Sequence, residues 1–450
     1  MSTHQIQSET EIKSDLLAMD RRHVWHPFTN VDAKDPIVVV SGQGAVLKTD
    51  DGREILDCIS SWWVNLYGHG HPHVAQAIYE QALKLEQVIF CGFTHEPAIQ
   101  LSEQIANLLP GDLNRVFFSD NGSTSVEVAL KMAAQYWQNQ GQQRTRVMVF
   151  EGGYHGDTVG AMSVGVSSGF FNAWKKWLID VDVMPFPETW MSDPEVEEKE
   201  AAALRAVEAF LEQQGEQVAA MIMEPLIQGA SGMRMCRPEF LQAVVELLRS
   251  HQIPVIFDEV MTGFGRTGHK FACETAGVTP DLICLSKGLT GGFMPMSITV
   301  ASDRIYESFN ADTQRMFCHG HSYTANPLGC AAALASLELL QSAETEHNWQ
   351  RIEHAQRLGL ETLADTPQAI RQRIVGTIAA VDVSVEDAGY ESQVADRLKS
   401  YFWNLHRPDG DFLIRPLGNV IYIMPPYCMT DEQLMRAWQA ISDAFQMLTE

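Results

Sequence analysis

Between residues 115 and 301 the chain alternates short apolar runs with longer stretches of helical periodicity. The apolar runs cover residues 115–119, 147–151, 218–223, 253–257, 282–285 and 297–301. Apolar positions recur with a helical period over residues 124–138, 197–213 and 238–251. Strands alternating with helices predict a mostly parallel, doubly wound α/β sheet. Before this block, residues 37–40 and 45–48 read as a small antiparallel sheet, with turn signals at Ser41-Gly42 and Asp50-Asp51-Gly52. Trp62 and Trp63 stand in DCISSWWVN, read as a strand that sends neighbouring side chains to opposite faces. Tyr67–Pro72 breaks the chain before a helix over residues 73–84. After the block, residues 328–363 are helical, and strand-like segments 376–383 and 413–424 complete an α+β unit. Residues 1–15 read as a tail.

Composition narrows the class. A chain of 450 residues holds one large domain and a smaller one. Its 57 acidic and 32 basic residues give a net charge of −25, which opposes nucleic-acid or anionic-membrane binding. The 8 cysteines are scattered and show no zinc-ligand spacing, so no metal site is expected. The polar N-terminus lacks a signal-peptide core, and no run of about 18 apolar residues exists. A cytoplasmic enzyme is the expectation.

Polar groups cluster where the apolar runs end. One run ends at Asp258-Glu259, and another at Ser286-Lys287, followed by Gly288 and Gly291-Gly292. Ligands of open α/β sheets collect at the carboxyl ends of the strands. A lysine and a carboxylate there suit pyridoxal phosphate, whose aldehyde takes the amine and whose ring nitrogen takes the acid. A structural ion pair between Lys287 and Asp258 or Glu259 is the competing reading. Asp120-Asn121-Gly122-Ser123-Thr124 opens a helix and reads as a phosphate cup or as an N-cap alone. In Gly152-Gly153-Tyr154-His155-Gly156-Asp157, Tyr154 either stacks on a flat ring or packs in a polar turn. Ser322 and Thr324 are further phosphate candidates, and Arg415 is either a surface residue or a carboxylate clamp.

Six stretches in order, SDNGSTSVEVALKMA, GGYHGDT, EPLIQG, FDEVMTGFGRTG, LSKGLTGG and HGHSYTANPLGCAAA, resemble the class III group of fold-type I pyridoxal-phosphate aminotransferases. The resemblance runs from about residue 25 to about residue 445. It implies a large cofactor-binding domain over residues 71–335, and a smaller α+β domain built from residues 1–70 and 336–450. It implies Lys287 as the Schiff-base lysine, Asp258 as the partner of the ring nitrogen and Tyr154 as the stacking residue. Gly122, Ser123 and Ser322 would surround the phosphate, Ser322 reaching in from the second subunit of a homodimer.

Within the group, WHPFTN, ISSWWVNLYGHGHP, GFTHEPAIQL, QGASGMRM and IRPLGNVIYIMPPY resemble a biotin-synthesis branch that uses S-adenosylmethionine to aminate a long amino-oxo acid. That likeness implies that Arg415 binds the substrate carboxylate, with further substrate contacts from Trp62, Tyr154, Asp157, Gly320 and Tyr422, and with Arg266 as a secondary group near the keto acid's carboxylate. Phe28 departs from the tyrosine usual at its position, removing a hydroxyl that could orient the donor. Ser322 replaces a usual threonine and keeps the hydroxyl. Ala230 stands where ornithine- and aminobutyrate-type relatives carry a gating glutamate, which argues against those activities.

Overall fold

The computed structural model describes residues 9–309, 313–403 and 410–449. In chain order the strands begin with β1 (Val39–Gln43), β2 (Val46–Thr49), β3 (Glu54–Asp57), β4 (Leu113–Ser119), β5 (Arg146–Phe150) and β6 (Asp182–Met184). Then come β7 (Val218–Met223), a short hairpin of β8 (Ile227–Gln228) and β9 (Arg234–Met235), β10 (Val255–Asp258), β11 (Leu282–Leu285) and β12 (Ser297–Ser302). The last are β13 (Ala369–Val375), β14 (Ile378–Val383), β15 (Asp411–Leu413) and β16 (Val420–Ile423).

The main sheet has the order β4-β12-β11-β10-β7-β5-β6. Every pairing is parallel except those of β12, which runs antiparallel to both β4 and β11. Only residues 286–296 link β11 to β12, too few for a crossover helix, so the chain turns back. β7, β10 and β11 are buried at every position, which is why each is apolar throughout save for Asp258 at the end of β10. Helix Gly122–Asn139 packs on β7, β11 and β12 through Val126, Ala129, Ala133 and Trp137, a helical stripe. Burying a valine-sized side chain contributes about 1.5–3 kcal/mol, so this stripe anchors the helix and its N-terminus firmly.

Two smaller sheets draw on distant parts of the chain. β15 lies parallel to β3, so the sheet β1-β2-β3-β15 ties residues 411–413 to residues 55–57. β13-β14-β16 is antiparallel throughout. Helices Ala343–Glu361 and Asp431–Thr449 pack together where Trp438 donates to Gln356 at 2.7 Å. Gly359 permits that approach, because a β-carbon there would overlap the Trp438 ring.

The architecture is the expected α/β one, with four local corrections. Residues 9–23 form a helix rather than a tail, while residues 1–8 lie outside the described residues. Strand β6 adds an edge to the main sheet that three residues of pattern do not announce. Segment 413–424 is not one strand: a turn through Leu417 and Gly418 divides β15 from β16, which join different sheets. The Trp62-Trp63 segment is a tight turn with positive φ at Ser60, Ser61 and Trp63. Among the described residues, no helix is long and apolar enough to cross a membrane.

Candidate active site

The parallel strands put their carboxyl ends on one edge of the sheet. Asp120 follows β4, Gly152 follows β5, Glu224 follows β7, Asp258 ends β10 and Lys287 follows β11. The register pairs Asp258 with Cys284, which brings Lys287 to the same edge. There a cavity of about 450 Å³ opens, lined among others by Trp63, Gly122, Ser123, Tyr154, His155, Glu224, Asp258 and Lys287.

Lys287 stands on a 3-10 turn with φ of 41°, a left-handed conformation uncommon for a side-chain-bearing residue. Its amine makes no hydrogen bond or ion pair among the described residues, and Nζ sits 5.2 Å from the centre of the Trp63 ring. Burial lowers its pKa, while Asp258 and Glu224 act in the opposite sense. An amine shifted toward its neutral form is the nucleophile that carbonyl chemistry needs.

Asp258 is not bonded to Lys287. Its Oδ2 faces Nδ1 of His155 at 2.7 Å, and its Oδ1 accepts from Val260 N at 3.0 Å. Burial pulls the His155 pKa down, but the hydrogen bond and charge of Asp258, with Glu224, outweigh it and leave the pKa raised. Glu224 accepts from the backbone N–H groups of Tyr154 and Gly229 at 3.1 and 3.0 Å. Burial is the main cause that pushes its carboxyl up to about 7. Glu259 points elsewhere and accepts from Ala272 N and Cys273 N at 2.6 and 2.8 Å, which makes it structural. His155 and Glu224 are members of the site whose roles the pattern did not reveal. Their only signal was position at strand ends.

Asn121 caps helix Gly122–Asn139: its side chain accepts from Thr124 N at 3.1 Å, and Thr124 Oγ1 accepts from Asn121 N at 3.2 Å. Ser125 N bonds Asn121 O, which leaves the N–H groups of Gly122 and Ser123, both on the cavity wall, for an anion. A β-carbon on Gly122 would lie 2.7 Å from Val260 Cγ1, and one on Gly156 would overlap Ser123 Oγ. The cradle is therefore closed to larger residues on two sides. Tyr154 stacks on Phe171 at 6.0 Å and donates to Asp157 at 3.1 Å.

Aromatic side chains line part of the cavity. Trp63, not Trp62, lines the cavity, and its Nε1 donates to the buried Tyr422 hydroxyl at 2.9 Å. Trp62 is 41% exposed and lies under Arg415, whose guanidinium carbon is 4.6 Å from its ring centre and 5.8 Å from that of Phe28. Arg415 forms no ion pair among the described residues. Arg266 is buried, donates to Pro425 O at 2.7 Å and Asn65 O at 3.2 Å, and is not among the residues lining the cavity. Gly320 and Ser322 are exposed and off the cavity wall of their own subunit.

An unpaired lysine amine, a carboxylate held by a histidine and an anion cradle, at the strand ends of such a sheet, define a pyridoxal-phosphate enzyme of fold type I, and the cavity residues fit that cofactor. The family model for aminotransferase class-III matches residues 28–445, and the chain belongs to that family. It is 55% identical to an adenosylmethionine-8-amino-7-oxononanoate aminotransferase of Synechococcus elongatus, over 94% of this chain and 98% of the relative. A crystal structure of an adenosylmethionine-8-amino-7-oxononanoate aminotransferase from Methanocaldococcus jannaschii has TM-score 0.88 and 31% identity, covering 97% of this chain and 99% of that one. A PLP-bound amine transaminase from an uncultivated Pseudomonas species has TM-score 0.87 and 30% identity, over 94% and 98% of the two chains.

Proposed function

We propose that this aminotransferase moves an amino group from S-adenosylmethionine to 8-amino-7-oxononanoate, yielding 7,8-diaminononanoate for biotin synthesis. The observation that carries the reading is Arg415, a guanidinium with no acidic partner among the described residues, held over Trp62, the neighbour of the cavity-lining Trp63. Its planar fork suits the distal carboxylate of a long acid. The name and 55% identity of the Synechococcus elongatus relative support the same substrates.

Pyridoxal phosphate, when bound, supplies an aldehyde that captures amines and a ring that accepts electrons from the broken carbon–hydrogen bond. Lys287 would hold it at the aldehyde and later carry the proton at the substrate carbon. General acid–base help of this kind is worth about 10²–10⁴-fold. Asp258, oriented by His155, would keep the ring nitrogen protonated. Gly122 and Ser123 would hold the phosphate with their N–H groups, joined by Ser322 of a second copy. Tyr154 would flank the ring, Tyr154 and Asp157 would place the donor amine, and Trp62, Gly320 and Tyr422 would shape the acceptor site. The reading includes a cytoplasmic homodimer, with a cofactor domain over residues 71–335 and a small domain from residues 1–70 and 336–450. The β3–β15 pairing of the two chain ends supports that division.

A donor screen against 8-amino-7-oxononanoate, read by product mass, tests the function. Diaminononanoate formed with S-adenosylmethionine is the expected result. Product formed only with lysine or simple amines would move the assignment to another donor, a possibility that Phe28, lacking the donor-orienting hydroxyl, keeps in the screen.

A further inference from the structure

Ser60, Ser61 and Trp63 have φ of 52°, 60° and 67°, and Ser61 has ψ of −81°. Side-chain-bearing residues in this region persist only where the surroundings hold them, at about 1–3 kcal/mol each. Ser60 Oγ donates to Met424 O at 2.9 Å, and the middle of the turn is gripped by Asp57, which is completely buried. Its carboxylate accepts from Ser61 N at 2.8 and 2.7 Å, from Ser61 Oγ at 3.1 Å and from Ile59 N at 3.3 Å. The remaining bond comes from Nε2 of His69 at 2.9 Å.

The tautomer of His69 follows from its other neighbour. Asn65 Oδ1 accepts from Gly68 N at 2.8 Å, so the amide's NH₂ faces Nδ1 of His69 at 3.0 Å. Nδ1 therefore accepts and Nε2 carries the proton, the neutral form. A backbone bridge between His69 and Gly44 fixes the ring's base. The buried Arg266 donates to the Asn65 carbonyl, so it belongs to this scaffold.

We propose that Asp57, oriented by neutral His69, is a positioning residue that holds the Ser60–Trp63 turn left-handed. That turn sends Trp63 to the Lys287 amine and the Tyr422 hydroxyl, and Trp62 beneath Arg415. The substrate part of this inference rests on the function proposed above. Asp57 touches no reacting atom and acts through the two tryptophans.

The test compares Asp57→Asn, His69→Gln, His69→Phe and Asp57→Asn/Ser61→Gly in the cofactor-loaded enzyme. Asp57→Asn puts a donor against Ser61 N–H or His69 Nε2–H. Amide exchange over residues 59–64 should then rise about tenfold, the loss of a charged hydrogen bond. The KM for 8-amino-7-oxononanoate should rise about tenfold, with kcat changed by less than about threefold. His69→Gln keeps one donor and one acceptor and should behave as wild type, whereas His69→Phe should resemble Asp57→Asn. Ser61→Gly relaxes the positive φ and should return much of the lost KM in the Asp57→Asn background. Unchanged exchange and KM in Asp57→Asn, equal behaviour of the two His69 variants, or no recovery with glycine would overturn the role. If Asp57→Asn does not fold, the His69 pair decides. If the wild-type enzyme ignores 8-amino-7-oxononanoate, the substrate reading fails while the exchange comparison still tests Asp57.

Discussion

Nδ1 of His155 lies 2.7 Å from Oδ2 of Asp258, and both side chains are buried. With Val260 N on the other oxygen, the carboxylate has one orientation, facing the cavity from the end of β10. The pair has a stability consequence with a definite sign. The pKa of His155 is raised in the folded chain, so its contribution is full below the ordinary imidazole value and is lost as pH rises through the folded value. His155→Phe should destabilise the cofactor-free protein by about 1.5–3 kcal/mol in mild acid, with a smaller gap in base. Denaturant midpoints of both proteins across that range would show it. A gap that grows with pH would contradict the pairing.

Glu224 gives a slope of the same sign, for a different reason. Its carboxyl is pushed up to about 7 by burial, so the folded chain holds the proton where the unfolded chain has released it. Stability should therefore fall as pH climbs from the ordinary carboxylate range to about 7. Glu224→Gln removes this slope, so the variant should gain on wild type over that interval. Thermal melts at several pH values are the measurement, and parallel profiles would refute the assignment.

Lys287→Ala removes the only side-chain amine on the cavity wall among the described residues. Turnover should fall by at least about 10²–10⁴-fold, and borohydride should no longer fix the cofactor to the chain. Circular dichroism should stay native. Retention of reducible cofactor in this variant would point to a different lysine.

Arg415→Ala should raise the KM for the long acid about 10–100-fold, the worth of a charge-assisted hydrogen bond, and leave cofactor affinity unchanged. Arg415→Lys should recover only part of this, because an ammonium lacks the planar fork. Steady-state kinetics beside a cofactor titration separate the two effects. Equal loss of cofactor binding would place the arginine in the wrong role.

Gly156→Ala places a β-carbon on Ser123 Oγ at a φ of 120°. The helix N-terminus must shift to admit it, so cofactor affinity should drop while the strand ends stay in place. A stability loss of about 1–3 kcal/mol should accompany it. Fluorescence titration with pyridoxal phosphate and a thermal melt read both, and unaltered affinity would argue that this cradle does not hold the phosphate.

The main sheet was legible because its signals are local. A strand buried on both faces must be apolar throughout, as in Val218–Met223 and Leu282–Leu285, and a charged residue just beyond it marks a strand end. Asp258, Lys287 and the Gly122 helix start could be found that way, and the order of their motifs carried the family. Tertiary contacts decided the rest. Ser60–Trp63 carries no local signal for its positive φ values, and the Asp57 carboxylate takes the Ser61 N–H and hydroxyl there. The apolar run after Leu413 divides because one piece pairs with β3 and the other with β14, strands remote in sequence. His155 looks like a turn residue until the fold buries it against Asp258, and nothing near Arg266 in sequence announces the two carbonyls that take its guanidinium. Apolar period and strand-end chemistry are written residue by residue along the chain. Which tryptophan meets the lysine, and which arginine stays free, depends on partners hundreds of residues apart that only the folded chain brings together.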